Sequence, residues 1–429
     1  MTSYKVLNYF TKKPEYYFTL IDQIIISLCN FLVTIIILRL LGIEIFGQFS
    51  FLWLFLLLTN TVQLSYIISP MLSNAPKQSV DYLKFFYGGI FFHQIIFSLS
   101  TFLIIYFGLK FFDEYLPSYQ IEKYSLSFAS ATITLQIQQF FRRLLFSKKL
   151  YFKALLTDLI SYPSVIILII YLNYLNKLNL ESIFWSFVFT FLLGIFFSSP
   201  ILLSLKYNLN NTYNTLKDNW IIAKWMLAST LLQWFSGNLW IINTGIILGP
   251  FTLGVVRACQ TVINITNIFF QSLENIIPVA TSKIFLEKGM DRMRIYLQKF
   301  ALKGLLLIFL LILFLIFFSK LLLSFFYGSE IGNYHFILIF LALILPVTFF
   351  QYAPIYGLRT LGKTKPIFIS YLLSSFVTIT TSQFVISSFN LNGLVVGLFV
   401  TQLIIAGVIY LGYLHYFKKL KIINENKKF

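Results

Sequence analysis

Two short stretches of the sequence share a pattern: LRLLGIEIFGQFSF at residues 38–51 and TGIILGPFTLGVVR at residues 244–257. Each stretch ends one apolar run, contains two glycines five residues apart, and opens the next apolar run. The aligned glycines are Gly42 with Gly249 and Gly47 with Gly254. Self-similarity of this kind is the signature of an internal repeat. Two related halves are therefore predicted, residues 1–215 and 216–429.

The composition places both halves in a membrane. The chain of 429 residues is 58% hydrophobic and 11% charged, whereas soluble domains usually carry about 25% charged residues. The apolar residues recur in separate runs that are long enough to cross a hydrocarbon layer about 30 Å thick. Backbone polar groups in lipid must be paired within their own segment, so these runs are expected to be helices.

The predicted fold is an all-α integral membrane protein with twelve transmembrane helices in two pseudo-symmetric lobes of six. The most polar of the predicted spans, at residues 125–141, is also the shortest. The spans are placed near residues 19–40, 45–69, 85–109, 125–141, 155–175, 183–205, 221–244, 251–280, 302–323, 334–357, 367–389 and 394–416. Cys29 and Cys259 both fall inside spans, and this position argues against a disulfide framework or a metal site.

The basic residues predict the orientation. The net charge is +18, but the Lys and Arg residues lie in short gaps between apolar runs, which argues against nucleic-acid binding. With both termini cytoplasmic, 27 of the 33 basic residues fall on the inside, as the positive-inside rule requires. The six exceptions are Arg39, Lys110, Lys123, Lys177, Arg257 and Lys320.

The first glycine stretch also resembles a known family. Its R-x-L-G-x-x-x-F-G pattern, which starts at Arg39 and ends at Gly47, is similar to the start of polysaccharide flippases of the O-antigen (Wzx) type. These flippases belong to a superfamily that also holds multidrug extruders and lipid II flippases. The resemblance extends over the whole chain in length, span number and division into halves. It implies alternating access around a central, cation-rich cavity between two lobes.

Polar residues inside the predicted spans are the candidates for this cavity, because such residues are costly in lipid and usually face a partner or water. In the first and eighth spans they recur every three or four residues, which places them on one helical face. The seventh span has a broader polar side, and the second span a shorter one. The candidates are Arg257, Lys224, Arg39, Asp22, Gln23, Asn30, Asn60, Gln233, Asn238, Gln260, Asn264, Asn267, Gln271 and Glu274.

Two interpretations of these residues remain open. Amides suit sugar hydroxyls because they both donate and accept hydrogen bonds, and cations suit a pyrophosphate. Alternatively, amides inside spans hold helices together, and Arg39, Lys224 and Arg257 extend towards the membrane interface. Asp22 and Glu274 either bind a coupling proton or Na⁺, or neutralise nearby cations.

Three further groups of charged or titratable residues have plain interpretations. The basic segment 142–153 is interpreted as a topology signal and a contact for anionic lipids, with attraction of a pyrophosphate headgroup as the second interpretation. Asp158 in the fifth span is ambiguous in the same way as Asp22. His93 is interpreted as a packing residue.

The leading hypothesis is a flippase that moves a polyprenyl-pyrophosphate-linked oligosaccharide repeat unit, as in O-antigen or capsule, across a bacterial cytoplasmic membrane. No catalytic motif and no cofactor is expected, apart from coupling to H⁺ or Na⁺. The expected partners are the lipid-linked glycan, the bilayer and other polysaccharide-assembly proteins, without nucleic acid. The alternatives are a small-molecule or multidrug antiporter of the same superfamily and, less favoured, a membrane-embedded polysaccharide polymerase. A polymerase needs acid–base or metal residues on sizeable outside loops, and the predicted outside gaps are short.

Overall fold

The computed structural model describes the backbone of residues 14–426 and the side chains of residues 17–419, except 265 and 267–276. Most of residues 14–426 are helical, and this range contains no strand. Nine helical segments in the described part of the chain are long and apolar enough to cross a membrane. The segment Ser125–Ser147 is a helix but is not one of the nine.

The first six long helices are separated by short turns. They are α1 (Pro14–Leu41), α2 (Ile43–Gln63), α3 (Val80–Phe112), α4 (Ser125–Ser147), α5 (Tyr151–Tyr174) and α6 (Leu180–Ser198). A π-helical turn at Leu64–Ile68 and a short helix at Ser69–Asn74 continue α2. After α6 the chain forms a 3₁₀ helix at Ser199–Ser204.

The remaining helices follow one another with few intervening non-helical residues. The element Leu209–Tyr327 leaves helical geometry at Gly249 and Gly289, and Lys365–Asn426 does so at Asn390. These breaks define α7 (209–248), α8 (250–288), α9 (290–327), α11 (365–389) and α12 (391–426), with α10 (His335–Thr360) between them.

The chain packs as two compact units, Met1–Leu231 and Leu232–Phe429. The boundary between these two units lies inside the continuous helix α7. It therefore does not coincide with a loop between the predicted halves. The division at residues 215 and 216 stays a prediction.

The two aligned glycine stretches have the same backbone conformation. Gly42, which precedes α2, has φ 86° and ψ 170°, and Gly249, which precedes α8, has φ 83° and ψ 174°. This region of φ/ψ space is essentially restricted to glycine. Each glycine therefore lets one membrane helix end and the next begin with no loop between them.

Helix α4 lies inside the first unit although it is the most polar predicted span. It packs against α3, α5 and α6, while α1 packs against α5. Its polar side chains are covered by neighbouring helices, and Thr132, Gln136 and Gln138 are fully buried. A helix that is shielded from lipid on most sides does not need an apolar surface, and this explains its low hydropathy.

The second unit is held together around Trp240. The indole N–H of Trp240 on α7 lies 3.1 Å from Thr378 Oγ1 and 3.0 Å from Thr401 Oγ1, on α11 and α12. Gly397 makes room for the ring, since a Cβ there would lie 2.4 Å from it. A buried tryptophan needs a partner for its N–H, so these hydroxyls complete the packing of three helices.

The crossing of α5 and α6 depends on Gly194, and this dependence can be tested. A Cβ at Gly194 would lie 2.1 Å from Ser161 Oγ and 3.3 Å from the Thr157 carbonyl oxygen. We expect Gly194→Val to lower stability by about 1–3 kcal/mol, the usual range for overpacking. The matched control is Gly108→Val, because no atom lies within 4 Å of a Cβ built at Gly108. Melting temperatures of the purified proteins in detergent measure both effects, and equal melting temperatures would contradict the close crossing.

Candidate functional site

A buried charged cluster joins three helices of the first unit. Arg142 on α4 places Nη2 2.5 Å and Nε 3.1 Å from Oδ2 of Asp22 on α1. The Arg142 Nε also lies 2.6 Å from Oδ2 of Asp158 on α5. Both carboxylates are 0% exposed, and Arg142 is 5% exposed. We name these three residues the Asp–Arg–Asp cluster.

Further polar groups surround this cluster. The Gln138 amide donates to Oδ1 of Asp158, and Gln139 donates to the Tyr162 hydroxyl at 2.7 Å. Arg143, the next residue after Arg142, is close enough to interact with both carboxylates. The opposite charges thus lie together in one place, where each reduces the cost of burying the other.

The Asp–Arg–Asp cluster is not fully saturated with hydrogen bonds. Oδ1 of Asp22 has no hydrogen-bond donor, whereas Oδ2 of Asp158 contacts the Arg142 Nε. A buried acceptor without a donor is unfavourable, so the cluster is held mainly by its ion pairs. The cluster cross-links α1, α4 and α5.

A second buried network lies at the end of α2. Gln63 donates to Oε1 of Gln94 at 2.9 Å and to the Gln136 carbonyl oxygen at 2.7 Å. Gln94 in turn donates to Ser98 Oγ at 2.7 Å. The π-helical turn of α2 begins at the residue after Gln63, and such turns often occur at functional positions. These side chains hold α2, α3 and α4 together.

The candidates on α1 and α2 have different environments. Gln23 is half-buried and donates to Ser27 Oγ at 3.4 Å, while Asn30 and Arg39 are exposed. Asn60 is half-buried, and its Oδ1 has no hydrogen-bond donor. Asp22, on the same helix as Gln23 and Asn30, is bound to Arg142 instead. This ion pair favours neutralisation of a cation among the two interpretations of Asp22, and its role stays a prediction.

Some of the candidate residues on α7 and α8 form hydrogen bonds within their own helix, and others are exposed. Arg257 is half-buried and donates from Nη1 to Oε1 of Gln260 at 3.0 Å. Asn238 donates to the Trp234 carbonyl oxygen one turn earlier on its own helix. Lys224, Gln233 and Asn264 are exposed. The side chains of Asn267, Gln271 and Glu274 lie outside the described residues.

Arg142 is the residue that the sequence interpretation placed wrongly. It was predicted to lie in a basic turn as a topology signal, but it lies inside α4 and is paired with two carboxylates. The available signal was the opposite charge of Asp22 and Asp158 within neighbouring spans, because ionisable residues in a membrane usually pair. The pairing itself depends on which helices meet, and hydropathy does not contain that information.

The fold is that of a known class of membrane transporters. A multidrug-resistance transporter of the MATE family in the MOP superfamily, in an inward-facing conformation, is 13% identical and matches with a TM-score of 0.75 over 95% of both chains. The lipid II flippase MurJ in an inward closed conformation is 16% identical, with a TM-score of 0.69 over 92% of this chain and 86% of that one. The Vibrio cholerae MATE transporter VcmN is 16% identical, with a TM-score of 0.64 over 95% of this chain and 96% of that one. At these identities the likeness concerns the fold.

The family follows from the sequence match. Residues 36–335 match the model of a family described as polysaccharide biosynthesis protein, so the chain belongs to that family. No curated protein matches the chain in sequence. The expected membership of a polysaccharide family is thereby confirmed, and the fold is that of the solved transporters named above.

The Asp–Arg–Asp cluster leads to a prediction about stability. Removal of Arg142 would leave two carboxylates buried without a counter-charge, and loss of one partner of a buried pair costs about 3–5 kcal/mol. We therefore expect Arg142→Met to lower the melting temperature strongly or to prevent folding. The triple variant Arg142→Met, Asp22→Asn and Asp158→Asn removes all three charges together and should recover much of the loss.

The control for this prediction is Lys283→Ala. Lys283 forms a pair with Glu287 at 3.7 Å, but both side chains are more than half exposed, and exposed pairs contribute little. Its melting temperature should equal that of the unmodified protein. An Arg142→Met protein as stable as this control would contradict the structural importance of the cluster.

Proposed function

We propose that the chain is a flippase for a polyprenyl-pyrophosphate-linked oligosaccharide repeat unit, as in O-antigen, capsule or a similar glycan. The repeat unit moves from the cytoplasmic to the outer leaflet by alternating access. The glycan crosses in a polar passage while the lipid tail stays in the bilayer. No covalent bond changes in this process.

The observation that carries this proposal is the family match over residues 36–335. A role in polysaccharide biosynthesis combined with a transporter fold favours movement of a glycan intermediate rather than its synthesis. The similarity to a lipid II flippase adds support, because that protein is named for a lipid-linked substrate.

The proposed substrate contacts are polar residues of the predicted spans that are exposed or half-buried. The exposed amides Asn30, Gln233 and Asn264 suit sugar hydroxyls. The cations Arg257, Lys224 and Arg39 suit the pyrophosphate, since charge-assisted hydrogen bonds are the strong ones. The residues of the Asp–Arg–Asp cluster are not part of this set, because they are already bound to one another.

The cation assignment predicts the behaviour of a double variant. Arg257→Ala combined with Lys224→Ala should lower surface polysaccharide at least about tenfold, since each lost charge-assisted bond costs roughly 1.5–3 kcal/mol. Surface glycan and membrane-inserted protein are both measured in a deletion strain that carries the variant. Lys177→Ala is the matched control, because it removes an exposed lysine in the turn between α5 and α6. Normal export by the double variant would refute the cation assignment.

A second candidate function is export of small molecules by an antiporter of the same superfamily. The TM-score to the multidrug transporter is 0.75 and that to the lipid II flippase is 0.69, so the fold also fits this alternative. A deletion strain separates the two functions. Single lipid-linked repeat units accumulated on the cytoplasmic side indicate a flippase, whereas drug sensitivity with unchanged surface glycan indicates an antiporter. Repeat units that are exported but not polymerised would indicate the less favoured polymerase.

The proposal includes a topology of twelve spans, with both termini cytoplasmic, in a bacterial inner membrane. Each lobe contributes six helices, 1–215 and 216–429. On this topology the segment between α3 and α4 is outside, and the turn between α10 and α11 is inside. Both segments contain exposed residues, Ser118 and Thr364.

This topology predicts a labelling pattern. The two native cysteines, Cys29 and Cys259, are buried and should give a low background with a membrane-impermeant maleimide. We expect Ser118→Cys to react in intact spheroplasts, and Thr364→Cys to react only after permeabilisation. The opposite pattern, or equal labelling of both variants in intact spheroplasts, would contradict the proposed orientation.

A further inference from the structure

Each of the two compact units has an apolar groove that ends at an exposed cation. The second-unit groove has a volume of about 360 Å³ and is formed by α9, α10 and α12. The small side chains of Ala301 and Ala353 leave the space, and Tyr410 and Leu302 border it. Arg294 lies at one end, is exposed, and places its guanidinium 5.1 Å from the Phe417 ring.

The first-unit groove has the same size and chemistry. Its volume is also about 360 Å³, and it lies between α3 and the segment that follows α6. Phe91, Phe92 and Leu202 provide apolar walls. Lys206 lines the groove and is exposed, with Nζ 5.9 Å from the Phe85 ring.

The position of the first-unit groove depends on close backbone packing. The Lys206 N–H donates to the Lys84 carbonyl oxygen at 3.1 Å, and a Cβ at Gly88 would lie 2.0 Å from the Lys206 carbonyl oxygen. Lys148 reaches the same segment and donates to Ser204 Oγ at 2.6 Å. Lys206 lines this groove, and Lys84 and Lys148 contact the segment that carries it.

The two grooves share one chemistry but have different walls. Helices α3 and α9 are the third helices of the predicted halves; the segment after α6 completes the first groove, and α10 with α12 completes the second. Aromatic pairs border both grooves: Phe92 and Tyr207 have ring centroids 5.3 Å apart, and Phe350 and Tyr410 have centroids 5.4 Å apart. A chemistry that is present in both halves, on different residues, argues against an accidental gap.

The dimensions and the charge define the ligand. From Arg294 to Leu305 the second groove follows eleven residues of α9, or about 16 Å of helix. This length is about half of a hydrocarbon core of about 30 Å, so it fits one chain of one leaflet. Residues 291–303 contain four cations and one carboxylate, and such basic clusters attract anionic lipids.

We propose that each groove binds one anionic phospholipid of the cytoplasmic leaflet, with its phosphate at Arg294 or Lys206 and an acyl chain along the apolar wall. The bound lipid fills space that the side chains leave open. It also neutralises cations at the membrane surface. This inference does not depend on the identity of the transported molecule.

The test is native mass spectrometry of the full chain, purified in detergent and titrated with phosphatidylglycerol or phosphatidylcholine. We expect two tightly held phosphatidylglycerol molecules and no comparable binding of phosphatidylcholine. Arg294→Gln and Lys206→Gln should each weaken one site about fivefold, the effect of one basic residue near an anionic lipid surface. The double variant should weaken both sites. Lys177→Gln, which removes an exposed charge away from both grooves, should change neither.

A second variant tests the apolar wall separately from the charge. Ala301→Phe fills the second groove and keeps Arg294, so it should lose one of the two bound lipids. If this variant is not monodisperse, the Arg294→Gln result decides alone, since that side chain is exposed and its replacement fills no space in the groove. Equal binding of phosphatidylcholine, or unchanged binding by the Arg294→Gln, Lys206→Gln double variant, would overturn the proposal. Displacement of phosphatidylglycerol by an equal concentration of a polyprenyl phosphate would overturn the assigned occupant.

Discussion

The first unit depends on a single arginine held between two aspartates in the membrane interior. Separation of Arg142 from Asp22 or Asp158 would leave a charge in a medium that solvates it poorly. Because the three residues belong to α4, α1 and α5, these helices are bound to move together. A conformational change that keeps the cluster intact must therefore move α1, α4 and α5 together as one rigid body. The glutamine network around Gln63 extends the same constraint to α2 and α3.

No buried ion pair joins the helices of the second unit among its described residues. Its helices meet through neutral groups: Trp240 donates to two threonines, and Asn243 donates to Ser382 Oγ at 2.6 Å. The two halves thus share backbone features, such as the equivalent conformations of Gly42 and Gly249, but differ in what holds them together. Among the described residues, a buried ion-pair cluster joins helices of the first unit, and neutral hydrogen bonds join helices of the second.

The helical membrane fold was predictable from the sequence, because apolar runs of sufficient length have few alternatives in lipid. The matching backbone of the two glycine stretches was predictable as well, since the φ/ψ region of Gly42 and Gly249 is essentially closed to other residues. The environments of the polar residues were not. The spacing of Gln23, Asn30 and Asp22 on one helix indicates a face, but only the neighbouring helices decide which member pairs and which stays exposed. Arg142 shows the limit clearly: its position after an apolar run is typical of a topology signal, and its partners lie 120 and 16 residues away in the chain.

The structure also divides the polar residues of the predicted spans into buried and exposed groups, which the sequence alone does not distinguish. Buried groups such as Asp22, Gln63 and Asn243 are bound to other side chains, so they stabilise helix contacts and offer little to a ligand. Exposed groups such as Asn30 and Lys224 add nothing to those contacts in the described structure, yet they lie on predicted spans, where an exposed polar side chain is unfavourable in lipid. Such a side chain is tolerated when its surroundings are wet. The exposed set is therefore expected to lie where water is available, either in a polar passage of the kind proposed above or at the membrane interface.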